Sequence, residues 1–316
     1  MSTETLLVEL GTEELPPRAL KSLGLAFRDG IVDGLKQREL GHGKVHWFAT
    51  PRRLAVLVEQ LVLCSAEKAV EILGPPLDRA RDEQANWSAA TEGFARKQGV
   101  TPEQLQSIDT PKGPRLGLRT TVPGVRTSDA LNDIIQGSIQ KLPIPRRMRW
   151  GASREEFVRP VHWAVAMLGD AFHHGDILGV TTGNTTRGHR FLSSGPITLQ
   201  KPEEYVSALE SASVVASFEK RREIIRQQVE AQASQLGAQA VIDDDLLDEV
   251  TGLVEWPVAL TGSFEERFLQ VPPEALVSSM KEHQKYFHVV DDTGELLPHF
   301  ITVANIESGD PQQVIA

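Results

Sequence analysis

A chain of 316 residues is long enough for two or three domains that each bury a core. Its composition, 40% hydrophobic and 24% charged, is ordinary for a globular protein, and no stretch is apolar for the roughly 18 to 20 residues that a membrane span needs. The net charge of −10 argues against unspecific binding along nucleic acid, but it does not exclude a local basic face. The single cysteine cannot form an internal disulfide. We therefore expect a cytoplasmic protein without a membrane partner.

The first 63 residues predict a small α/β unit. The pattern predicts a buried strand, a permissive glycine hinge, an amphipathic helix that starts after a proline pair, and two further strands. In chain order these are 6–10, Gly11, the helix from Pro17 to about Gly41, 44–49 and 54–63.

Residues 64–142 predict a mixed segment, in which 64–112 is the more helical and more polar part. A helix over 87–98 ends before Gly99, and Thr101-Pro102-Glu103-Gln104 has the capping residue and proline of a second helix start. Two short helices around this turn would form a helical hairpin. A strand at 116–122 and a helix at 128–142 are predicted to follow.

Residues 143–316 predict a second, larger α/β domain. It opens with a basic loop, 143–160, and then alternates between strands and helices. We predict strands at 161–168, 176–180, 257–261, 286–290 and 300–304, and helices at 219–236, 244–250 and 274–283. The whole chain is therefore predicted to be a mixed α/β, multidomain α+β protein.

Common catalytic signatures are missing from the sequence. It has no phosphate-binding loop, no dinucleotide-binding glycine pattern, no zinc-protease motif and no nucleophile elbow, and one cysteine excludes cysteine zinc clusters. His173, His174 and Asp176 lie close in sequence, but neighbouring strand residues point to opposite faces, so a polar hairpin tip is favoured over a metal site. We predict neither a metal nor catalytic residues.

The basic loop is the first candidate for RNA contact. Six Lys or Arg fall between 141 and 159, against Glu155 and Glu156. Arginine suits phosphate because its planar fork donates two parallel hydrogen bonds, and a neighbouring tryptophan can stack on an unpaired base. The alternative is a solvated loop in which arginines pair with glutamates. The candidate residues are Lys141, Arg146, Arg147, Arg149, Trp150 and Arg159.

Two further segments carry candidate cations. Arg187 and Arg190 flank Gly188-His189 and could form an anion-binding turn, although a buried histidine and structural ion pairs are favoured there. Arg52 and Arg53 are predicted at the tip of a hairpin, where side chains reach solvent and partners.

Polar residues between 253 and 287, here called the closing block, would suit a polar pocket. Glu255, His283, Lys285 and Tyr286 could line it, while the aromatic residues there could equally belong to the core. No nucleophile and base are fixed together by the pattern, so no catalytic pair is assigned.

Eight ordered segments resemble one known family, the beta subunit of the bacterial heterotetrameric glycine–tRNA ligase. The segments are ELGTEELPP (9–17), ATPRRLAV (49–56), KLPIPRRMRWG (141–151), FVRPVHW (157–163), RGHRF (187–191), LVEWPVAL (253–260), FLQVPPEALVSSMKEHQKYF (268–287) and ITVANIES (301–308). They run over the whole chain, which would be the N-terminal portion of such a subunit.

The resemblance implies a specific role. In this family the alpha subunit makes glycyl-adenylate, so ATP with magnesium is expected there and no cofactor is expected in this chain. The beta subunit supports charging of tRNA(Gly) within an α2β2 complex, and DNA is not an expected partner. The second half, from about Arg159, resembles the B3/B4-type domain of the phenylalanine–tRNA ligase beta subunit. The family's HD-like and anticodon-binding regions are not expected within these residues.

Three functional hypotheses follow. The first is an RNA-binding and assembly portion of the ligase that is not catalytic alone. The second is a scaffold that docks the alpha subunit without touching tRNA. The third is an editing hydrolase within 159–316, which the lack of a visible nucleophile–base pair disfavours.

Overall fold

The structure is a computed structural model that describes residues 2–152 and 154–307. The chain divides into two compact units, 1–63 together with 127–316, and 64–126. The larger unit includes the helix Thr127–Gln140, because this helix packs on the helix Pro17–Gln37. The division into 1–63, 64–142 and 143–316 stays a prediction.

The elements of the described residues follow in chain order. The strands are β1 (Thr3–Thr12), β2 (Val45–Thr50), β3 (Arg53–Val62), β4 (Lys68–Pro76), β5 (Gln106–Ile108), β6 (Arg115–Val122), β7 (Met148–Arg149), β8 (Glu156–Phe157), β9 (Val161–Leu168), β10 (Ala171–Phe172), β11 (Asp176–Ile177), β12 (Val180–Gly183), β13 (Thr185–Arg187), β14 (Pro196–Thr198), β15 (Gln239–Ala240), β16 (Val258–Ser263), β17 (Phe287–Val290) and β18 (Leu296–Ala304). The helices are α1 (Pro17–Gln37), α2 (Ala89–Lys97), α3 (Thr127–Gln140), α4 (Tyr205–Ser211), α5 (Phe218–Gln235), α6 (Asp244–Thr251) and α7 (Pro273–Ser279).

Strand β1 is central in the main sheet of the larger unit. The strand order is β11-β12-β9-β1-β3-β2, with β10 added beside β9. Both β3 and β9 run antiparallel to β1, and their register places Arg53 and Trp163 on either side of Gly11. This sheet therefore brings together residues that lie more than a hundred positions apart in the sequence.

The two faces of β1 enter different cores, because successive strand side chains point to opposite sides. Leu6, Val8 and Leu10 pack in a core with α1 and α3, while Leu7 packs in a second core with Trp163 and α4. The predicted apolar stripe of α1 is confirmed, since Leu20, Leu23, Phe27, Ile31 and Leu35 are all buried. Alternation then places Glu9 on the face of Leu7, towards the second core.

A four-stranded sheet forms a third core in the larger unit. Its order is β15-β17-β18-β16, and α5 and α6 pack against it through Ile225, Val229, Leu247 and neighbouring apolar residues. The predicted helix at 274–283 is confirmed in part. Helix α7 passes into a single π-helical turn, Met280–Gln284, which ends at Lys285 in the left-handed conformation.

The smaller unit, 64–126, is less helical than predicted. Helix α2 confirms the prediction at 87–98, but Pro102–Gln104 is one 3-10 turn, so the predicted helical hairpin is wrong. The capping interactions of Thr101 and Gln104 are present. The helix stops because Leu105 is extended and buried, and β5 then pairs with β6 in a sheet of order β4-β6-β5.

The described helices include none that is both long and apolar enough to cross a membrane.

Candidate functional site

The predicted basic loop is exposed to solvent. Lys141, Arg146, Arg147 and Arg149 all lie at the surface, as the loop interpretation requires. Trp150 differs from them, since it is partly buried and packs against the main core. The Trp150 indole therefore anchors the loop to the core, and only its exposed part could stack on a base.

Intramolecular partners hold some of these cations. Arg149 pairs with Glu156 at 2.6 Å across the β7–β8 ladder, and Arg159 donates to the carbonyl of Glu14 at 3.0 Å. Among the described residues, the side chains of Lys141 and Arg146 have no hydrogen bond or ion pair. These two cations are available to an anionic partner without breaking an internal contact.

Three of the other four candidate cations gather around one indole ring. The guanidinium carbons of Arg52, Arg53 and Arg187 lie 5.6, 5.8 and 5.7 Å from the Trp163 ring centroid, within range of a cation–π interaction. The hairpin turn after β2 and the segment after β12 are therefore brought to the same place. The sequence patterns alone did not connect them.

Arg53 does not reach solvent, so the prediction of an exposed hairpin-tip side chain is wrong for this residue. It is fully buried and donates to Glu9 Oε1 at 3.2 Å, to Glu255 Oε1 at 3.3 Å and to the carbonyl of Arg187 at 2.9 Å. The reason is register: Arg53 is the first residue of β3 and lies opposite Gly11, next to the second core. We call Arg53, Glu9, Glu255 and Trp163 the Arg53 cluster.

Gly11 makes room for this cluster. It was predicted as a hinge, but it lies inside β1, and a Cβ there would be 1.8 Å from the Trp163 ring. No side chain fits in that space. The glycine is needed for the close approach of the indole to the strand, not for a change of chain direction.

The charged groups of the cluster shift one another's pKa. Burial raises the pKa of Glu9, and the neighbouring Arg53 opposes that shift. Burial alone would lower the pKa of Arg53, but Glu255 and Glu9 together raise it. The Trp163 indole N–H and the Tyr205 hydroxyl lie beside the Glu9 carboxyl and also favour its charged form. The cluster is thus a buried ionic framework.

A second buried arginine ties this framework to the third core. Arg221 on α5 donates to the carbonyls of Val215, Ala49 and Thr251 at 2.6, 2.7 and 3.1 Å. Burial lowers its pKa to about 9. The carboxylate of Glu255 accepts from Arg53, and Asn305 fixes the backbone of the same residue. The Glu255 N–H donates to Asn305 Oδ1 at 2.7 Å.

His189 is buried, as the structural interpretation of its segment expected. Its Nδ1 accepts from the backbone N–H groups of Phe191 and Leu192, both at 3.2 Å, so the ring satisfies a turn with amides in place of the expected carbonyl. This turn places Arg190 against Glu13 and Glu14 at 2.6 and 3.1 Å.

The polar pocket suggested for the closing block does not form as proposed. Glu255 belongs to the Arg53 cluster, and Lys285 pairs with Glu249 at 3.0 Å. Tyr286 stacks on Phe300, with ring centroids 4.2 Å apart, in a cavity of about 230 Å³ that is mostly apolar. The described residues contain no group of three metal-ligating side chains, and His173 and His174 lie between β10 and β11.

Comparison with known proteins gives a consistent result. The family model described as "Glycyl-tRNA synthetase beta subunit" matches residues 6–316. The chain belongs to this family. Relatives named glycine–tRNA ligase beta subunit are 53% identical in Chromohalobacter salexigens, 51% in Hahella chejuensis and 49% in Stutzerimonas stutzeri. Each match covers all of this chain and 46% of the relative, so the chain spans about half the length of these proteins.

The family segments meet at the Arg53 cluster. Six of the eight segments by which the sequence resembles beta subunits of this family contribute a residue to the cluster or to its direct support. These residues are Glu9 and Gly11, Arg53, Trp163, Arg187, Glu255 and Asn305. One signal in the sequence pointed to the cluster: Glu9 interrupts the apolar run LLVEL, and a lone carboxylate in a buried strand requires a buried partner.

Proposed function

We propose that this chain is a tRNA-supporting portion of a glycine–tRNA ligase. Glycine activation, with ATP and magnesium, takes place on an alpha subunit, and two subunits of each kind form the complex in the cytoplasm. The exposed cations of the loop 141–159 support direct tRNA contact, above all Arg146 and Lys141, whose side chains have no partner among the described residues.

Exposed cations without an internal partner are well suited to phosphate recognition. An arginine that already holds a carboxylate must give up that pair to bind RNA, whereas an unpaired guanidinium meets a phosphate at no such cost. Arg146 is in the second state and Arg149 in the first, because Arg149 pairs with Glu156. Arg146 is therefore expected to contribute more to tRNA affinity than Arg149.

The test uses the complete complex with Arg146→Ala and Arg149→Ala. Loss of a phosphate contact should raise KM for tRNA, about five- to thirtyfold for Arg146→Ala and less for Arg149→Ala, while the rate of glycine activation stays unchanged. Arg79→Ala, an exposed arginine of the smaller unit, removes the same charge and serves as the control. Unchanged tRNA kinetics in both loop variants would contradict the proposal.

Docking of the alpha subunit is a second role with its own support. Phe268 is 43% exposed at the rim of the 230 Å³ apolar cavity, an arrangement typical of a surface that a partner covers. Phe268→Ser should then reduce co-purification of the alpha chain while tRNA affinity is retained. Full recovery of the complex would remove this role from the cavity.

The B3/B4-like resemblance of the second half is also part of the proposal. The α+β layout of the larger unit is compatible with it. Such a domain would have to include β1 to β3, because β9 pairs with β1 in the same sheet. A superposition that aligned only the strands after Arg159 would argue against the resemblance.

A further inference from the structure

Two arginines next to the Arg53 cluster lack an anionic partner. Arg52 and Arg187 both lie over the Trp163 ring, yet among the described residues neither side chain has a hydrogen bond or an ion pair. The Nε of Arg52 is also shielded from solvent. An N–H of a charged group that meets neither water nor an acceptor is costly, so this arrangement is incomplete without an added acceptor.

The buried carboxylates of the Arg53 cluster do not supply an acceptor for Arg52. Glu9 and Glu255 are both engaged by Arg53, which is fully buried between them. Burial lowers the pKa of Arg52, Arg190 and Arg53 lower it as well, and Glu255 and Glu13 oppose that shift. Among the described residues neither of these carboxylates forms a hydrogen bond or an ion pair with the Arg52 side chain.

The neighbouring Arg190 already forms ion pairs with carboxylates. Arg190 holds Glu13 at 2.6 Å and Glu14 at 3.1 Å, and Glu13 also contacts His162 Nε2 at 2.9 Å. These groups are partly exposed, so such pairs exchange readily for another anion. Glu13 places oxygen atoms against a guanidinium as a phosphate would.

The turn that carries Arg190 also carries an exposed aromatic ring. Phe191 follows Arg190 in the chain and its side chain is 75% exposed, the highest value among the large apolar residues of the described chain. Exposed rings next to arginines are the usual platform on which proteins stack an unpaired base. A free phosphate cannot stack on this ring, whereas the base of a nucleotide can.

We infer that Arg52, Arg187, Arg190 and Phe191 form a site for one unpaired nucleotide of RNA. Its phosphate lies between the arginines and displaces Glu13 from Arg190, and its base stacks on Phe191. The inference rests on the proposed role in tRNA handling, but it assigns a site separate from the loop 141–159. We call it the nucleotide site.

The experiment measures tRNA affinity across a salt series in the complete complex. Arg187→Gln should weaken binding and reduce the slope of log affinity against log salt by about one unit, because one phosphate contact is lost. Phe191→Ala should weaken binding about fivefold or more and leave the slope unchanged, since base stacking involves no counterions. Arg119→Gln, an exposed arginine of the smaller unit, is the matched control.

Glu13→Gln separates the nucleotide site from a structural role. Removal of the competing carboxylate should tighten tRNA binding, which a damaged fold cannot do. Weaker binding by this variant, or an unchanged slope in Arg187→Gln, would overturn the inference. Titration with inorganic phosphate is a further arm: if it binds at Arg187 while tRNA affinity is unaffected by all three substitutions, the site serves free phosphate and the inference fails.

Arg146→Ala is measured in parallel. If it weakens tRNA binding while Arg187→Gln does not, the nucleotide site alone is wrong. If only Arg187→Gln reduces the slope, the loop contact is wrong and the nucleotide site stands.

Discussion

The basic loop 141–159 and the Arg53 cluster are both rich in arginine, yet their arginines do different things. In the loop, Arg146 and Arg149 are exposed, and any ion pair that they form faces water. In the cluster, Arg53 is fully buried and is balanced by Glu9 and Glu255. The comparison teaches that an arginine in a sequence motif supports binding only where the fold leaves it exposed. Where the fold buries it, the same residue holds strands and helices together.

The largest expected effect is on Arg53. Arg53→Met leaves Glu9 and Glu255 buried without their shared counter-charge, and breaking a buried pair in this way costs about 3–5 kcal/mol. Denaturant unfolding of the full chain measures this, with Arg79→Met as an exposed control that should stay within about 0.5 kcal/mol. A loss for Arg53→Met no larger than that of the control would make the cluster dispensable for stability.

The second effect concerns the space beside Gly11. Gly11→Ala would put a methyl group 1.8 Å from the Trp163 ring, and overpacking of this kind typically costs about 1–3 kcal/mol. Gly183→Ala is the control within the same sheet, because a Cβ there meets no atom within 4 Å. Thermal unfolding should separate the two variants. Equal melting temperatures would mean that the indole moves away freely.

The third effect is a pH dependence. The pKa of Glu9 is raised above 4.5 in the folded protein, so its contribution to stability is fully present below pH 4.5 and is lost as pH rises through the folded pKa. Arg53 lowers this pKa, so Arg53→Met should raise it further, and each tenfold change in the acid dissociation constant corresponds to about 1.4 kcal/mol. The deficit of Arg53→Met should therefore shrink as pH falls towards 4.5. A deficit that is constant between pH 4.5 and 8 would contradict the ionic account.

The smallest effect is expected in the loop. Arg149→Ala removes an ion pair with Glu156 whose partners are 67% and 42% exposed, and pairs of this kind contribute about 0–1 kcal/mol. Arg146→Ala removes no described side-chain contact. Both variants should unfold within about 1 kcal/mol of the parent chain. A larger loss would assign these loop arginines to the framework and weaken the comparison.

Local pattern was enough to predict much of the fold. The stripe of α1 and the run of β1 follow from apolar spacing, and both are confirmed. Strand β4 was missed because its residues are nearly all exposed or half-buried, so its sequence has no clear alternation of apolar and polar positions. The turn at Pro102 had good helix-start chemistry, but the burial of Leu105 and the pairing of β5 prevented a longer helix.

The candidate site was harder to predict. Exposure of the loop arginines could be predicted from the prolines and charges around them. Burial of Arg53 could not, because it depends on strand register: β3 and β9 reach β1 from distant parts of the chain and meet it at Gly11. Neither Arg52 nor Arg187 carries a local signal of the indole that they share.

The most direct test of the central claim is the salt dependence of tRNA affinity for the complete complex that carries Arg146→Ala and Arg147→Ala together. The exposed-cation account predicts a slope reduced by up to about two units, with the free energy of unfolding nearly unchanged. A slope equal to that of the parent complex would contradict the claim that the exposed arginines of the loop 141–159 contact RNA.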